Sequence, residues 1–334
     1  MCELHQEPPP AWQEVKRSSG RGHRQRSGQR SSVSPAQQYP RAPDVSTCSQ
    51  RIKRIRGALP DGHSCIRHSR KRRPPCRRTS DGLGRTGPSH QPDAGRSHAP
   101  ADLDAPESLP TALEGAEQVF LYSESAGINA FVEAARLAGV RHVVLLSSAG
   151  VVLPGADHQP VGRDHKVVES ALMESGLSWT FLRPGMFSSN ALRWWGETIK
   201  AGKPVLLPYP DSLTAPISER DMAAVAVTAL TEPGHSRQAY TLYGPHALSL
   251  REQVDHIGTA IGRKIPVEEV TPEQARAELA RRVPATRVVT HMGAWQAGVD
   301  TVPDTSGLII EKLTGSPAQT FAQWAQDNAD GFRP

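Results

Sequence analysis

Along the first hundred residues apolar positions follow neither of the spacings that regular secondary structure needs, whereas beyond Ser108 they follow both. A short helical stretch is predicted around Leu109 to Glu114. The runs Val119 to Tyr122, Val143 to Leu146 and Trp179 to Leu182 are apolar on successive positions and rich in β-branched or aromatic residues, as strands buried on both faces are. Between the first two, Ile128, Phe131, Val132 and Ala135 fall at i, i+3, i+4 and i+7, one face of a helix, and Gly139 stops it. This β-α-β-α-β rhythm with short loops predicts a parallel sheet with crossover helices, an α/β fold.

Further on, four helix starts pair a hydroxyl with an acid or amide three residues later: Ser218 with Asp221, Ser249 with Glu252, Thr271-Pro272 with Gln274, and Ser316-Pro317 with Gln319. The helix opened by Ser218 runs through Ala223, Val227 and Leu230 to Pro233-Gly234, and Ala239 to Leu242 reads as another strand. After Gly244 the pattern is mainly helical. Such a tail beyond an α/β sheet shapes or covers a substrate pocket.

Charge sharpens the boundary near Asp102. Residues 1–100 carry 20 Lys and Arg against 7 Asp and Glu, a net +13, so the remainder of this 334-residue chain is at −8. With 22 apolar residues, and Trp12 and Tyr39 as its large aromatics, the front cannot offset the entropy of ordering and is expected to be a low-complexity, disordered stretch. Its densest charge, Arg51 to Arg56 and Arg70 to Arg78, suits a polyanion-binding arm, which leaves nucleic acid outside the expected partners except through residues 1–101. A transit peptide is a weaker reading, because Glu3, Glu7 and Glu14 are present and no amphipathic helix is. A third reading is a front translated out of frame, since an Arg, Pro, Ser, Gly and His bias is what a GC-rich gene gives in the wrong frame. DNA upstream of the Asp102 codon tests it.

Cys2, Cys48, Cys65 and Cys76 all lie in that front, too irregularly spaced for a C-x-x-C site, and no apolar run is long enough to cross a bilayer. A disulfide-free, cytoplasmic protein without membrane attachment or a metal is expected. Gly82, Gly84 and Gly87 spell G-x-G-x-x-G, but RRTSD precedes them and Pro88 follows. A pyrophosphate loop needs a strand before it and a helix after it, so this match reads as chance.

Several segments together resemble a known family: V-V-L-L-S-S-A-G at 143–150, His165-x-x-x-Glu169, S-G-L-S-W-T-F-L-R-P-G-M-F-x-x-N at 175–190, A-P-I-S-E-R-D-M-A at 215–223, Y-T-L-Y-G-P at 240–245 and L-T-G-S-P-A-Q-T-F-A-Q-W-A at 313–325. In order and spacing they are similar to NmrA-like atypical short-chain dehydrogenases over about Asp102 to Phe332. The resemblance implies a Rossmann-type doubly wound sheet over 102–186 and 215–244. It also implies a smaller, mainly helical substrate part over 187–214 and 245–334. It implies NAD(P)H as cofactor, NAD against NADP undecided, and hydride transfer to a small acceptor such as a quinone or azo compound. The rival it allows is a non-catalytic redox sensor, or a product inactivated by loss of its phosphate loop.

By that resemblance Tyr122 and Ser123 end a strand near the cofactor, and Ser147 and Ser148 end the strand beside the nicotinamide. Pro184, Gly185, Met186 and Phe187 flank it, His165 stands where the family has its active-site Lys, and Asn190, Trp194 and Trp195 enter the substrate side. The residues alone leave blander readings open. His165 and Glu169 are spaced as a helix-surface pair, Ser147 and Ser148 as turn caps, Asn190 as a helix cap, Trp194 and Trp195 as packing, and Arg183 as a structural charge.

None of Tyr122, Tyr209, Tyr240 or Tyr243 has Lys four residues on, so the Tyr-x-x-x-Lys pair of ordinary short-chain dehydrogenases is absent. No G-x-S-x-G elbow, Walker loop or H-E-x-x-H site is present, which counts against hydrolase, triphosphatase and metalloprotease readings. The family's first strands and glycine-rich loop should precede Asp102. Without them Val119 to Tyr122 becomes an open apolar edge, and a homodimer remains among the assemblies allowed.

Overall fold

The apolar runs at 119–122, 143–146 and 179–182 pair in parallel, because both of their faces can be buried only if helices cover each side. The structure, a computed structural model, describes residues 63–66 and 102–334. Among the described residues the sheet contains β1 (His63–Ile66), β2 (Gln118–Tyr122), β3 (His142–Leu146) and β4 (Ser178–Pro184). After two short strands, β5 (Val205–Leu207) and β6 (Leu213–Thr214), it closes with β7 (Gln238–Leu242), in the order β1-β2-β3-β4-β7. Val119, Val143 and Trp179 share one row of the register, and Phe120, Val144 and Thr180 the next.

Side-chain alternation sends successive rows to opposite faces. On one face Val119, Leu121, Val143, Leu145 and Phe181 pack against α1 (Leu109–Leu113), α2 (Ile128–Leu137) and α3 (Pro160–Glu174). On the other, Phe120, Val144, Leu182 and Leu242 meet Met222, Val225, Ala226 and Leu230 of a later helix, α5 (Glu219–Thr231). Gly127, with φ +76°, opens α2. A Cβ there would stand 2.2 Å from the Leu103 carbonyl oxygen, so only glycine lets the chain pass that close.

A separate core is built from α4 (Asn190–Lys200), which precedes α5, and from α6 (Leu250–Ile261), α7 (Pro272–Ala280), α8 (Ala285–Asp300) and α10 (Phe321–Asp327). Helix α9 (Gly307–Thr314) adds Ile310 to the sheet face instead. Two more short strands, β8 (Leu248–Ser249) and β9 (Val267–Glu269), pair with β6 and β5. No helix among the described residues is long and apolar enough to cross a membrane.

Two expectations need correction. The strand β2 is not an open edge: His63–Ile66 pairs with it in parallel, His63 opposite Gln118 and Ile66 opposite Leu121. A row of free backbone donors and acceptors accepts any extended segment, whatever its side-chain pattern. The second concerns the last helix, which is capped by Thr320 with Gln323, a full capping box, and not by Ser316 with Gln319. Gln319 is used elsewhere, its N–H donating to Asp221 at 3.0 Å and its side chain to Asp327 at 2.7 Å. The caps at Ser218, Ser249 and Thr271 form as the spacing predicts. The basic runs at 51–56 and 70–78 and the glycines at 82, 84 and 87 lie outside the described residues.

Candidate active site

In open parallel sheets ligands bind at the carboxyl ends of the strands, and here those ends carry most of the residues singled out by sequence. Tyr122 ends β2 half-buried, its ring edge-on to Phe120 at 5.3 Å, and Ser123 follows. After β3, Ser147 is buried. Its N–H donates to the Leu182 carbonyl at 2.7 Å and its hydroxyl to Glu169 Oε1 at 2.5 Å. Ser148 caps the following turn, accepting from the Gly150 N–H at 3.1 Å.

Glu169 is the anchor of this corner. It lies on α3 with 2% of its side chain exposed and accepts a fork from Arg183 of β4, Nε to Oε1 at 2.9 Å and Nη2 to Oε2 at 2.6 Å. Three charge-assisted bonds thus tie helix, β3 end and β4 together. The surface pair of His165 with Glu169 does not form, because Arg183 reaches up from the sheet and takes the carboxylate inward.

His165 stands one turn earlier on α3, half-buried, with Nδ1 2.8 Å from the Val161 carbonyl. A carbonyl only accepts, so Nδ1 carries the proton and Nε2 presents a lone pair. Burial holds the ring below the ordinary histidine range and the Arg287 charge adds to that, against the Val161 bond and the carboxylates of Glu169 and Asp164. The turn under α3 is tight: a Cβ on Gly162 would come within 2.6 Å of the Ala156 oxygen and 2.8 Å of the Gly150 oxygen. Gly162→Ala should therefore lift the helix that carries His165, destabilising the fold by about 1–3 kcal/mol, measured by urea denaturation.

The segment after β4 runs close to its neighbours. Pro184 ends the strand, Gly185 donates to the Leu242 carbonyl at 2.9 Å, and a Cβ on Gly185 would lie 2.5 Å from the Tyr243 ring. The Met186 carbonyl accepts from Ile217 and Phe187 bridges to the same residue. Ser188, next in line, is buried with its hydroxyl unpartnered. Tyr243 was not expected from sequence. Burial, with Asp304 nearby, raises its phenol and keeps it neutral.

Asn190 begins α4 without capping it by its side chain. Trp194 and Trp195 are core residues of the helical part, and Trp194 meets His291 at 4.9 Å and Trp295 at 5.0 Å between ring centroids. They belong to the helical core, whereas Ser147 and Arg183 are joined at the strand ends through Glu169. Arg287 supplies the electrostatic link, acting on both His165 and His291. His291 was also missed, although Val288, Met292 and Trp295 mark the buried face of α8 beside it.

The nicotinamide part of a dinucleotide fits this corner. The strand ends present residues 122–123, 147–148 and 184–187, and the Ser188 hydroxyl is buried with its hydrogen bonds unmade, which costs free energy until a partner supplies them.

Residues 88–233 match a family model described as NAD(P)H-binding. A Streptomyces griseus protein named (4-alkanoyl-5-oxo-2,5-dihydrofuran-3-yl)methyl phosphate reductase is 34% identical over 235 residues, 68% of this chain and 81% of that protein. The chain belongs to the NmrA-like NAD(P)H-binding family. The NAD(P)H azoreductase of Xenophilus azovorans is likewise 34% identical to this NmrA-like chain, covering 70% of it and 83% of the azoreductase. The structure of an NADPH-dependent quinone oxidoreductase from Escherichia coli in complex with NADPH superposes with a TM-score of 0.59 at 23% identity, over 68% of this chain and 81% of the other, which shows a shared fold.

Proposed function

We propose that this NmrA-like protein is an NAD(P)H-dependent reductase acting on a small conjugated acceptor of the quinone or azo type. The sheet segments 102–186 and 215–244 hold the cofactor in this reading, and 187–214 and 245–334 the acceptor. One observation carries it: Glu169 locks the strand ends between Ser147 and Arg183, and one turn earlier on the same helix stands a histidine whose tautomer is fixed. NAD(P)H supplies the hydride. Tyr122, Ser123, Ser147, Ser148 and Pro184 to Phe187 orient the ring, and the Ser188 hydroxyl offers a hydrogen bond at its edge.

His165 holds the proton that reduction also consumes. With Nδ1–H bound to Val161, the ring donates from Nε2 as imidazolium and is recharged by solvent. Because its pKa lies below the ordinary 6.5, the proton-donating form declines as pH rises toward neutrality. Reduction at saturating NADPH should thus show an acid-side limb that falls with pH. His165→Ala should flatten that limb and lower kcat by about 10²-fold while leaving NADPH affinity in calorimetry unchanged. Binding of NADPH without oxidation of it, in the presence of quinones and azo dyes, would favour the redox-sensor reading.

A further inference from the structure

The chain around Tyr243 is fixed by its neighbours, yet among the described residues nothing hydrogen-bonds to the Tyr243 hydroxyl. The Tyr243 N–H donates to Ser306 Oγ at 3.0 Å, and Ser306 is 3% exposed. Before it the Leu242 carbonyl accepts from Gly185 at 2.9 Å, and after it the Gly244 N–H donates to the Ala215 carbonyl at 2.9 Å. A Cβ on Gly244 would stand 2.1 Å from the Pro216 carbonyl oxygen, so that turn closes only on glycine. The ring is laid against Gly185 in the same way: a Cβ there would meet Tyr243 Cδ1 at 2.5 Å and Cε1 at 2.8 Å. Cζ, which carries the hydroxyl, is bonded to Cε1, so the phenol edge runs along the 184–187 turn. A packed tyrosine ring ordinarily ties its O–H to a partner, as Tyr240 does with His235 Nδ1 at 2.9 Å. The Tyr243 ring is half-buried and its oxygen is not among the sealed, unpartnered atoms of the interior, so the hydroxyl is open to a guest.

We infer that Tyr243 is a catalytic residue of this protein, its hydroxyl donating a hydrogen bond to the acceptor oxygen on which negative charge gathers during reduction. The inference deepens the reductase reading and rests on it, since that reading sets the nicotinamide beside 184–187. In a quinone, hydride from NAD(P)H forms an O–H bond at one carbonyl, the π electrons move through the ring, and the other oxygen becomes that of the hydroquinone anion. The His165 imidazolium supplies the proton that completes the hydroquinone, and the products are NAD(P)+, hydroquinone and neutral His165. Tyr243 keeps its own proton throughout, because burial raises the phenol and leaves it a donor over the whole range in which His165 titrates. A donor set in advance by Gly185 and Ser306 costs no reorganisation as the charge develops, which is the condition under which one hydrogen bond lowers a barrier most.

The test uses the full chain with NADPH and 2-methyl-1,4-naphthoquinone. Tyr243→Phe keeps the ring on Gly185 and removes only the hydroxyl. It should lower kcat by about 10- to 100-fold, with NADPH affinity in calorimetry within twofold and the urea midpoint unchanged. The pH limb assigned to His165 should stay where it is, since Tyr243 does not titrate there. The direct readout is infrared: with the quinone carbonyls labelled with carbon-13 and NADP+ bound, one carbonyl stretch should lie below that of the free quinone in the natural protein and return to it in Tyr243→Phe. A kcat within twofold of the natural protein, a band unshifted in the natural protein, or a shift that survives in the variant overturns the role of Tyr243. A shift that the variant loses, with no oxidation of NADPH by the natural protein, keeps the hydrogen bond and overturns the reductase reading, so the two failures are distinct.

Discussion

Arg183→Met should destabilise the fold by about 3–5 kcal/mol, the largest loss expected from any single side chain of the site. The guanidinium is 18% exposed and its partner carboxylate 2%, so the methionine leaves Glu169 with the Ser147 hydroxyl and no counter-charge. A carboxylate in that position either keeps its charge at a high desolvation cost or takes up a proton. Replacing both partners, Arg183→Met with Glu169→Leu, removes the orphaned charge and should bring stability back to within about 1–2 kcal/mol of the natural protein. Urea denaturation of the two single variants and the double variant gives the coupling directly. A loss under about 1 kcal/mol for Arg183→Met would sink the idea that this pair is the lock of the corner. The double variant has a second use: Ser147 loses its acceptor while the fold survives, so a drop in kcat there reports positioning of the β3 end and not unfolding.

That pair also shows where sequence reasoning stops. The strands were legible because each is an apolar run, and the structure extends them by one polar residue at the start, Gln118, His142 and Ser178, since pairing is a property of the backbone and not of the side chain. Caps within one turn were legible for the same reason that they work: Ser218, Ser249 and Thr271 need only partners three residues away. Contacts across the chain were not. The spacing of His165 and Glu169 describes a helix, but which way Glu169 points is decided by Arg183 on a strand fourteen residues on. Ser316 had the letters of a cap and lost to Thr320 because Asp221, 98 residues earlier, holds Gln319. The edge strand His63–Ile66 had no pattern to read, its pairing being set by the open row of β2. Of the site, the strand ends came through their motifs, whereas Tyr243, Arg287 and His291 lie at least 56 residues beyond the last of them, Phe187, and carry no local signature.

Two buried groups far apart in sequence should hide each other in the pH dependence of stability. Asp221, at 5% exposure, is raised from 3.8 to about 6, chiefly by burial. Between those values the folded state holds a proton that the unfolded state has released, so stability falls as pH rises through that window. His291, at 6% exposure, is lowered from 6.5 to about 4 by burial and by Arg287 and Arg193. Between 4 and 6.5 the unfolded state holds the extra proton, and stability rises with pH instead. Each group spans about two pH units and so is worth about 3 kcal/mol, with opposite sign over nearly the same window. Their sum should be close to flat. Asp221→Asn keeps an oxygen for the Gln319 N–H without the charge, and its stability relative to the natural protein should climb by about 3 kcal/mol from pH 4 to pH 7. His291→Phe, which keeps a ring edge against Trp194, should drift by the same amount in the opposite direction. Denaturant midpoints of the three proteins at half-unit steps of pH measure this, with the natural protein as reference so that other carboxylates cancel. If the Asp221→Asn difference is level across the window, that carboxyl is not raised in the folded protein, and the Gln319 bond holds an ionised Asp221. If only the His291→Phe difference is level, water reaches His291 in the folded protein.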